Sequence, residues 1–82
     1  MIIVTAKVQV TEENQEAFRT LVASFENQIR QDEGCISAQV FQDCEEKGTY
    51  LFYEKWATQE DWQEHMQTSH VQEFLGRRSR PL

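Results

Sequence analysis

The chain has two imidazoles, His65 and His70, the side chains whose charge changes most readily near neutral pH. His65 follows Trp62 by three positions and precedes Met66, so on a helix it shares an apolar face with them. A histidine placed there can act as a general base in a site poor in water, or it can close a core by bonding to a backbone carbonyl. His70 lies five residues further on. At 100° per residue that is about 140° around a continuous helix, which argues against a metal ion shared with His65. A helix break near Thr68 would turn His70 toward a pocket mouth, whereas capping or exposure is the plainer use.

Glu54 is a carboxylate among aromatics, because Tyr50, Phe52, Glu54 and Trp56 alternate along one strand and point to one face. Burial would make it a proton shuttle, and a partner such as Lys7 or an arginine would make it half of a structural ion pair. Trp62, Met66, Phe18, Val22 and Phe74 suit an apolar wall between helices and sheet, as core or as the lining of a pocket for a planar ligand. Tyr50 and Tyr53 could donate hydrogen bonds to a ligand oxygen or satisfy themselves inside the core. Arg77, Arg78 and Arg80 form a basic cluster suited to the negative end of the last helix dipole.

The rest of the sequence narrows the chemistry. Cys35 and Cys44 stand nine positions apart, with neither CxxC spacing nor flanking histidine pairs, so free thiols are expected and no metal site is indicated. Phosphate-cradling glycine loops, GxSxG, HExxH and calcium loops are absent from the sequence. Fourteen acidic against eight basic side chains give a net charge of -6, which repels nucleic acid and anionic membrane. The longest apolar run is Met1 to Val4, far below the roughly 20 residues that span a bilayer. A soluble, cytoplasmic protein is expected, folded as one domain over residues 1–82.

The elements that would position these residues follow from periodicity. Ile2, Val4, Ala6, Val8 and Val10 alternate with polar residues, as in a half-buried strand. Thr11 offers an N-cap, and Phe18, Leu21, Val22, Phe25 and Ile29 follow at helical spacing to about Asp32, with Gly34 placed to end the helix. Ile36, Ala38 and Val40 mark the inner face of a second strand, 43–48 a hairpin loop, and 49–56 the returning strand. Thr58 caps a short helix carrying Trp62, His65, Met66 and Ser69, and another helix starts near Ser69 or His70 and buries Val71, Phe74 and Leu75. The result is an α+β fold, a ferredoxin-like β-α-β-β-α order with helices on one face of an antiparallel sheet. The segment after Leu75, rich in arginine and holding the one proline, makes a poor fourth strand.

Four segments carry a family resemblance: the opening strand, the Glu33-Gly34-Cys35 turn, the Tyr53-Glu54-Lys55-Trp56 strand and the Trp62-x-x-His65-Met66-x-x-Ser69-His70 helix. In order and spacing the chain resembles the antibiotic biosynthesis monooxygenase (ABM) domain, over nearly its whole length. The resemblance implies a homodimer in which two sheets face each other as an α/β barrel, each subunit holding a pocket between sheet and helices. It also implies oxidation by O₂ of a quinol-like or polyketide-like aromatic with no cofactor, neither flavin nor metal. His65 would then be the catalytic base, with Trp62, Met66, Phe74, Phe18, Val22 and His70 around the substrate. Glu54, Trp56 and Phe52 would face the barrel and the partner. Family members usually carry a fourth strand, so this is a short version. The positions matching the haem-degrading branch look like Ala6, His65 and about Gly76, which disfavours haem. A non-catalytic dimeric module that binds a small molecule or a protein is the alternative, and an isomerase using the same histidine is a third reading.

Overall fold

The computed structural model describes the backbone of residues 1–79 and the side chains of residues 1–74. Leu75 as a core residue and the Arg77, Arg78 and Arg80 cluster lie outside the described side chains. Strand β1 (Ile2–Gln9) is followed by a 3-10 turn (Glu12–Asn14) and helix α1 (Gln15–Arg30). Strands β2 (Cys35–Gln42) and β3 (Thr49–Trp56) and helices α2 (Gln59–Met66) and α3 (Ser69–Ser79) complete the order. The sheet runs β1-β3-β2, with β3 antiparallel to both neighbours. This is the expected split β-α-β arrangement, with three strands among the described residues.

Helix α1 forms because Phe18, Val22, Phe25 and Ile29 recur on one stripe with no glycine or proline between them, and all four are buried. It starts later than expected. Thr11 caps the preceding 3-10 turn without a side-chain bond to the backbone, and its hydroxyl accepts from Asn14 Nδ2 at 2.7 Å instead. At the other end the Arg30 guanidinium reaches the Ala38 carbonyl at 3.0 Å and Glu26 at 2.8 Å, tying the last turn of α1 to β2. The helix ends before Gly34, and Asp32 occupies the turn that follows, where the Cys35 amide bonds to its carbonyl.

Gly34 has a different duty from the one expected. Its φ of +82° lets the chain turn into β2, and a Cβ there would overlap the Asp61 side chain on α2. A left-handed alanine alone costs about 1–3 kcal/mol, so Gly34→Ala is expected to lower the urea midpoint of unfolding by at least that equivalent. An unchanged midpoint would contradict the left-handed conformation at this position. The hairpin is closed by Asp43, whose Oδ1 accepts from the Glu45 and Glu46 amides at 2.7 and 3.0 Å; these bonds hold its carboxyl below the usual carboxylate range.

The alternation expected in β2 fails at one residue. Between Cys35 and Ser37 the register with β3 shifts, leaving Ile36 as an extra residue that is 55% exposed rather than inward. A one-residue insertion reverses the face of whatever precedes it, so Cys35 and Ala38 both meet the helix side. The core comprises Val8, the α1 stripe, Ala38, Tyr50, Phe52, Trp56, Val71 and Phe74. Around Phe74 the rings of Phe25, Phe52 and Phe18 gather, Phe25 stacking on it at 4.2 Å between centroids.

Glu54, Trp56 and Phe52 therefore do not face a partner. They sit beneath the helices, Trp56 completely enclosed. Large aromatics on one strand face demand cover, and the helices provide it within the subunit. The opposite face, with Ile3, Leu51 and Phe41, is the exposed one.

Candidate functional site

Strand β1 is the part of the sheet least covered by helices. Its helix-facing residues Ile2 and Val4 are half-buried and Ala6 is exposed, although Val8 is buried. Over this gap lies a cleft of about 290 Å³, lined by Val4, Ala6, Phe52, Glu54, Trp62, His65, Met66 and Phe74, among others. Its wall is mostly hydrocarbon and aromatic, with His65 and Glu54 as the ionisable groups on it.

Three elements fix His65. Thr58 Oγ1 accepts from the Asp61 amide at 3.1 Å, starting α2 with the expected cap. One turn further on, His65 is buried against the Trp56 ring, 4.4 Å between centroids. Its Nδ1 lies 2.6 Å from Asp32 Oδ2, and its Nε2 lies 3.7 Å from Glu54 Oε1. Glu54 Oε1 also accepts from Trp56 Nε1 at 2.9 Å. A carboxylate only accepts, so Nδ1 carries the hydrogen toward Asp32. In the neutral ring the lone pair is then on Nε2, on the Glu54 side, where both residues border the cleft. Lys7 is not the partner of Glu54, because it lies on the opposite face of β1.

His70 is joined to the same carboxylate. Its Nε2 stands 2.8 Å from Asp32 Oδ2. On one continuous helix the two histidines would stand apart, but α2 ends at Met66 and α3 begins at Ser69. Thr68 makes the elbow: its hydroxyl donates to the His65 carbonyl at 2.7 Å and accepts from the Val71 amide at 3.4 Å. The new helix direction brings His70 back toward Asp32. It borders the neighbouring groove between α1 and α3, with Leu21, Gln28 and Phe25, and not the cleft that holds His65.

Of the residues expected around a ligand, Trp62, Met66 and Phe74 meet His65 on the cleft, whereas Phe18 and Val22 do not. Helix α1 crosses the β2 side of the sheet, so its N-terminal half packs on Tyr50 and Val40, away from β1. Phe25 takes a place on the cleft wall instead. Tyr50 is buried with its hydroxyl 3.4 Å from Arg19 Nε, and Tyr53 lies under Lys55 on the outer face, so neither tyrosine borders the cleft.

Asp32 is the member that sequence reasoning missed. Its signal is a carboxylate immediately beyond the C-terminus of α1, where the helix dipole disfavours negative charge. An anion kept against that field needs donors, and the two imidazoles supply them. Beside this cluster, Cys35 is a free thiol pushed up by burial first, then by the negative charges of Glu54 and Asp32. Cys44 is free and exposed in the hairpin. The thiolate is the reactive form, so iodoacetamide at neutral pH is expected to label Cys44 several-fold faster than Cys35. Peptide mass spectrometry over a time course reads this, and equal rates would contradict the shielding.

The chain matches the family model described as antibiotic biosynthesis monooxygenase over residues 1–77, and it belongs to that family. A relative from Synechocystis sp., described as an uncharacterized protein, is 31% identical over 74 residues, covering 90% of this chain; this chain spans about half (50%) of that protein. The protein named "Putative monooxygenase YcnE" from Bacillus subtilis is 29% identical over 77 residues, covering 94% of this chain and 81% of its own length. The crystal structure of a conserved protein from Methanosarcina mazei superposes with a TM-score of 0.88 at 28% identity, covering 94% of this chain and 76% of that one. No helix among the described residues is long and apolar enough to cross a membrane.

Proposed function

We propose that the chain is a cofactor-independent monooxygenase that oxidises a small quinol-like or polyketide-like aromatic with O₂. One observation carries this reading: an imidazole oriented by a carboxylate on one nitrogen presents its other nitrogen beside an apolar cleft. A planar ring fits between Trp62, Met66 and Phe74 on one side and the β1 residues Val4 and Ala6 on the other. His65 Nε2 takes the phenolic proton. Asp32 keeps the ring oriented, and Asp32 and Glu54 stabilise the imidazolium that forms, as the carboxylate of a hydrolase triad does.

The resulting phenolate is electron-rich enough to react with O₂ directly, and the apolar walls limit the water that would stabilise it unreacted. For a simple hydroquinone the balance is one quinol and one O₂ giving one hydroxyquinone and one water. The ring loses the electrons that reduce the second oxygen atom, so no external reductant enters. The functional unit on this reading is a homodimer of one-domain subunits in the cytoplasm, paired through the outer sheet face. Ile3, Phe41 and Leu51 expose apolar surface there, at 53, 49 and 38%, and such surface calls for a cover.

The test is O₂ uptake with a panel of quinols and anthrone-like phenols, coupled to mass detection of product in ¹⁸O₂. One labelled oxygen per product is the expected result. Turnover of an enolisable substrate under nitrogen would replace oxygenation by isomerisation.

A further inference from the structure

We propose that Asp32, His65 and His70 form a binding site for a divalent first-row transition cation of the zinc type. His65 Nδ1 and His70 Nε2 converge on one oxygen, Asp32 Oδ2, at 2.6 and 2.8 Å, and the three ligand atoms all lie within 4.8 Å of one another. Around a zinc ion with bonds of 2.0–2.2 Å, tetrahedral ligand atoms stand roughly 3.3 Å apart. The two carboxylate–imidazole separations meet that spacing by widening well under 1 Å, and the two imidazole nitrogens, already within 4.8 Å of each other, settle to it as the side chains turn. Two imidazole nitrogens and one carboxylate select zinc, nickel, copper or iron(II) over magnesium and calcium, which prefer oxygen alone.

The surroundings suit a cation independently of the three ligands. A histidine bound to metal through one nitrogen carries hydrogen on the other and commonly donates it to a carboxylate, which fixes the ring. Glu54 stands on that side, 3.7 Å from His65 Nε2, within charge reach but short of a hydrogen bond, and is itself held by Trp56 Nε1. The ligands come from three separate parts of the chain: the α1–β2 turn, the end of α2 and the start of α3. The Thr68 elbow sets the last two against each other. His65 and Asp32 side chains are only 3 and 15% exposed, and His70 is 17% exposed on the groove side, which gives an entry path. The net charge of -6 favours cation approach.

Metal on Nδ1 and proton acceptance at Nε2 exclude each other, because the metallated imidazole keeps its Nε2 hydrogen. Where the oxidation reading holds, occupancy therefore stops turnover. The binding claim does not depend on that reading.

The test uses the full chain without a histidine tag, whose two histidines make a two-residue ¹H–¹⁵N ring spectrum. One equivalent of Zn²⁺ is expected to shift His65 and His70 together, with metal-type shifts at Nδ1 of the first and Nε2 of the second, and the same concentration of Mg²⁺ to shift neither. His70→Ala, at the more exposed ligand, should weaken zinc binding by at least about tenfold, and Glu54→Gln by roughly 10–100-fold. A His65 ring that Zn²⁺ leaves unmoved, or zinc affinity unchanged in His70→Ala, overturns the site and leaves a hydrogen-bonded cluster only.

Discussion

Replacing His65 by alanine is expected to lower kcat for O₂-dependent quinol oxidation by about 10²–10⁴-fold, the usual worth of a positioned general base. KM should stay within a few-fold, because the contacts that hold the ring come from Trp62, Met66, Phe74 and β1. Stopped-flow or oxygen-electrode kinetics read the split. Asp32→Asn separates orientation from chemistry. An amide there can donate to Nδ1, which moves the ring hydrogen to Nε2 and removes the acceptor while the side chain's shape is kept. A loss approaching that of His65→Ala, with little change in KM, is the expected outcome. Full turnover in His65→Ala, with circular dichroism showing an intact fold, would end the proposed mechanism.

The second large effect is on stability. Trp56 is wholly enclosed, packs on His65 and donates to Glu54. Trp56→Ala is expected to cost about 3–5 kcal/mol, the range for large aromatics cut to alanine in cores. Domains of this size have a total stability of order 5–15 kcal/mol, so the variant should be extensively unfolded by about half the wild-type urea concentration. Trp56→Phe keeps most of the packing but leaves Glu54 Oε1 without its indole donor, at a cost of about 1–3 kcal/mol. Urea titrations followed by far-UV circular dichroism measure both. A Trp56→Ala midpoint equal to wild type would mean that the enclosed position is filled by rearrangement.

Some of this was legible from the residues and some was not, for identifiable reasons. The α1 stripe and the strand alternation announced themselves because each repeats several times. The Thr58 cap and the position of His65 beside Trp62 and Met66 followed from helical spacing. Ile36 was misplaced because a bulge inserts one residue without changing the apolar pattern around it. Glu54, Phe52 and Trp56 were assigned to one face correctly, but alternation does not say which face the helices cover; the bulk of those side chains is the better guide. Phe18 and Val22 were set on the cleft wall since periodicity does not fix how a helix crosses a sheet. His70 and Asp32 were missed as partners of His65 because their meeting depends on the Thr68 elbow, a change of direction that angular arithmetic along one axis cannot contain.

The two tryptophans occupy places of different kind: Trp56 is sealed beside His65, and Trp62 is half-buried on the cleft wall. The domain therefore carries two built-in optical probes. Trp62 emission should shift as an aromatic guest enters the cleft, whereas Trp56 emission should follow metal binding at its neighbouring imidazole. With either tryptophan replaced by phenylalanine, the remaining one gives guest binding or the state of the imidazole its own fluorescence signal, without any external label.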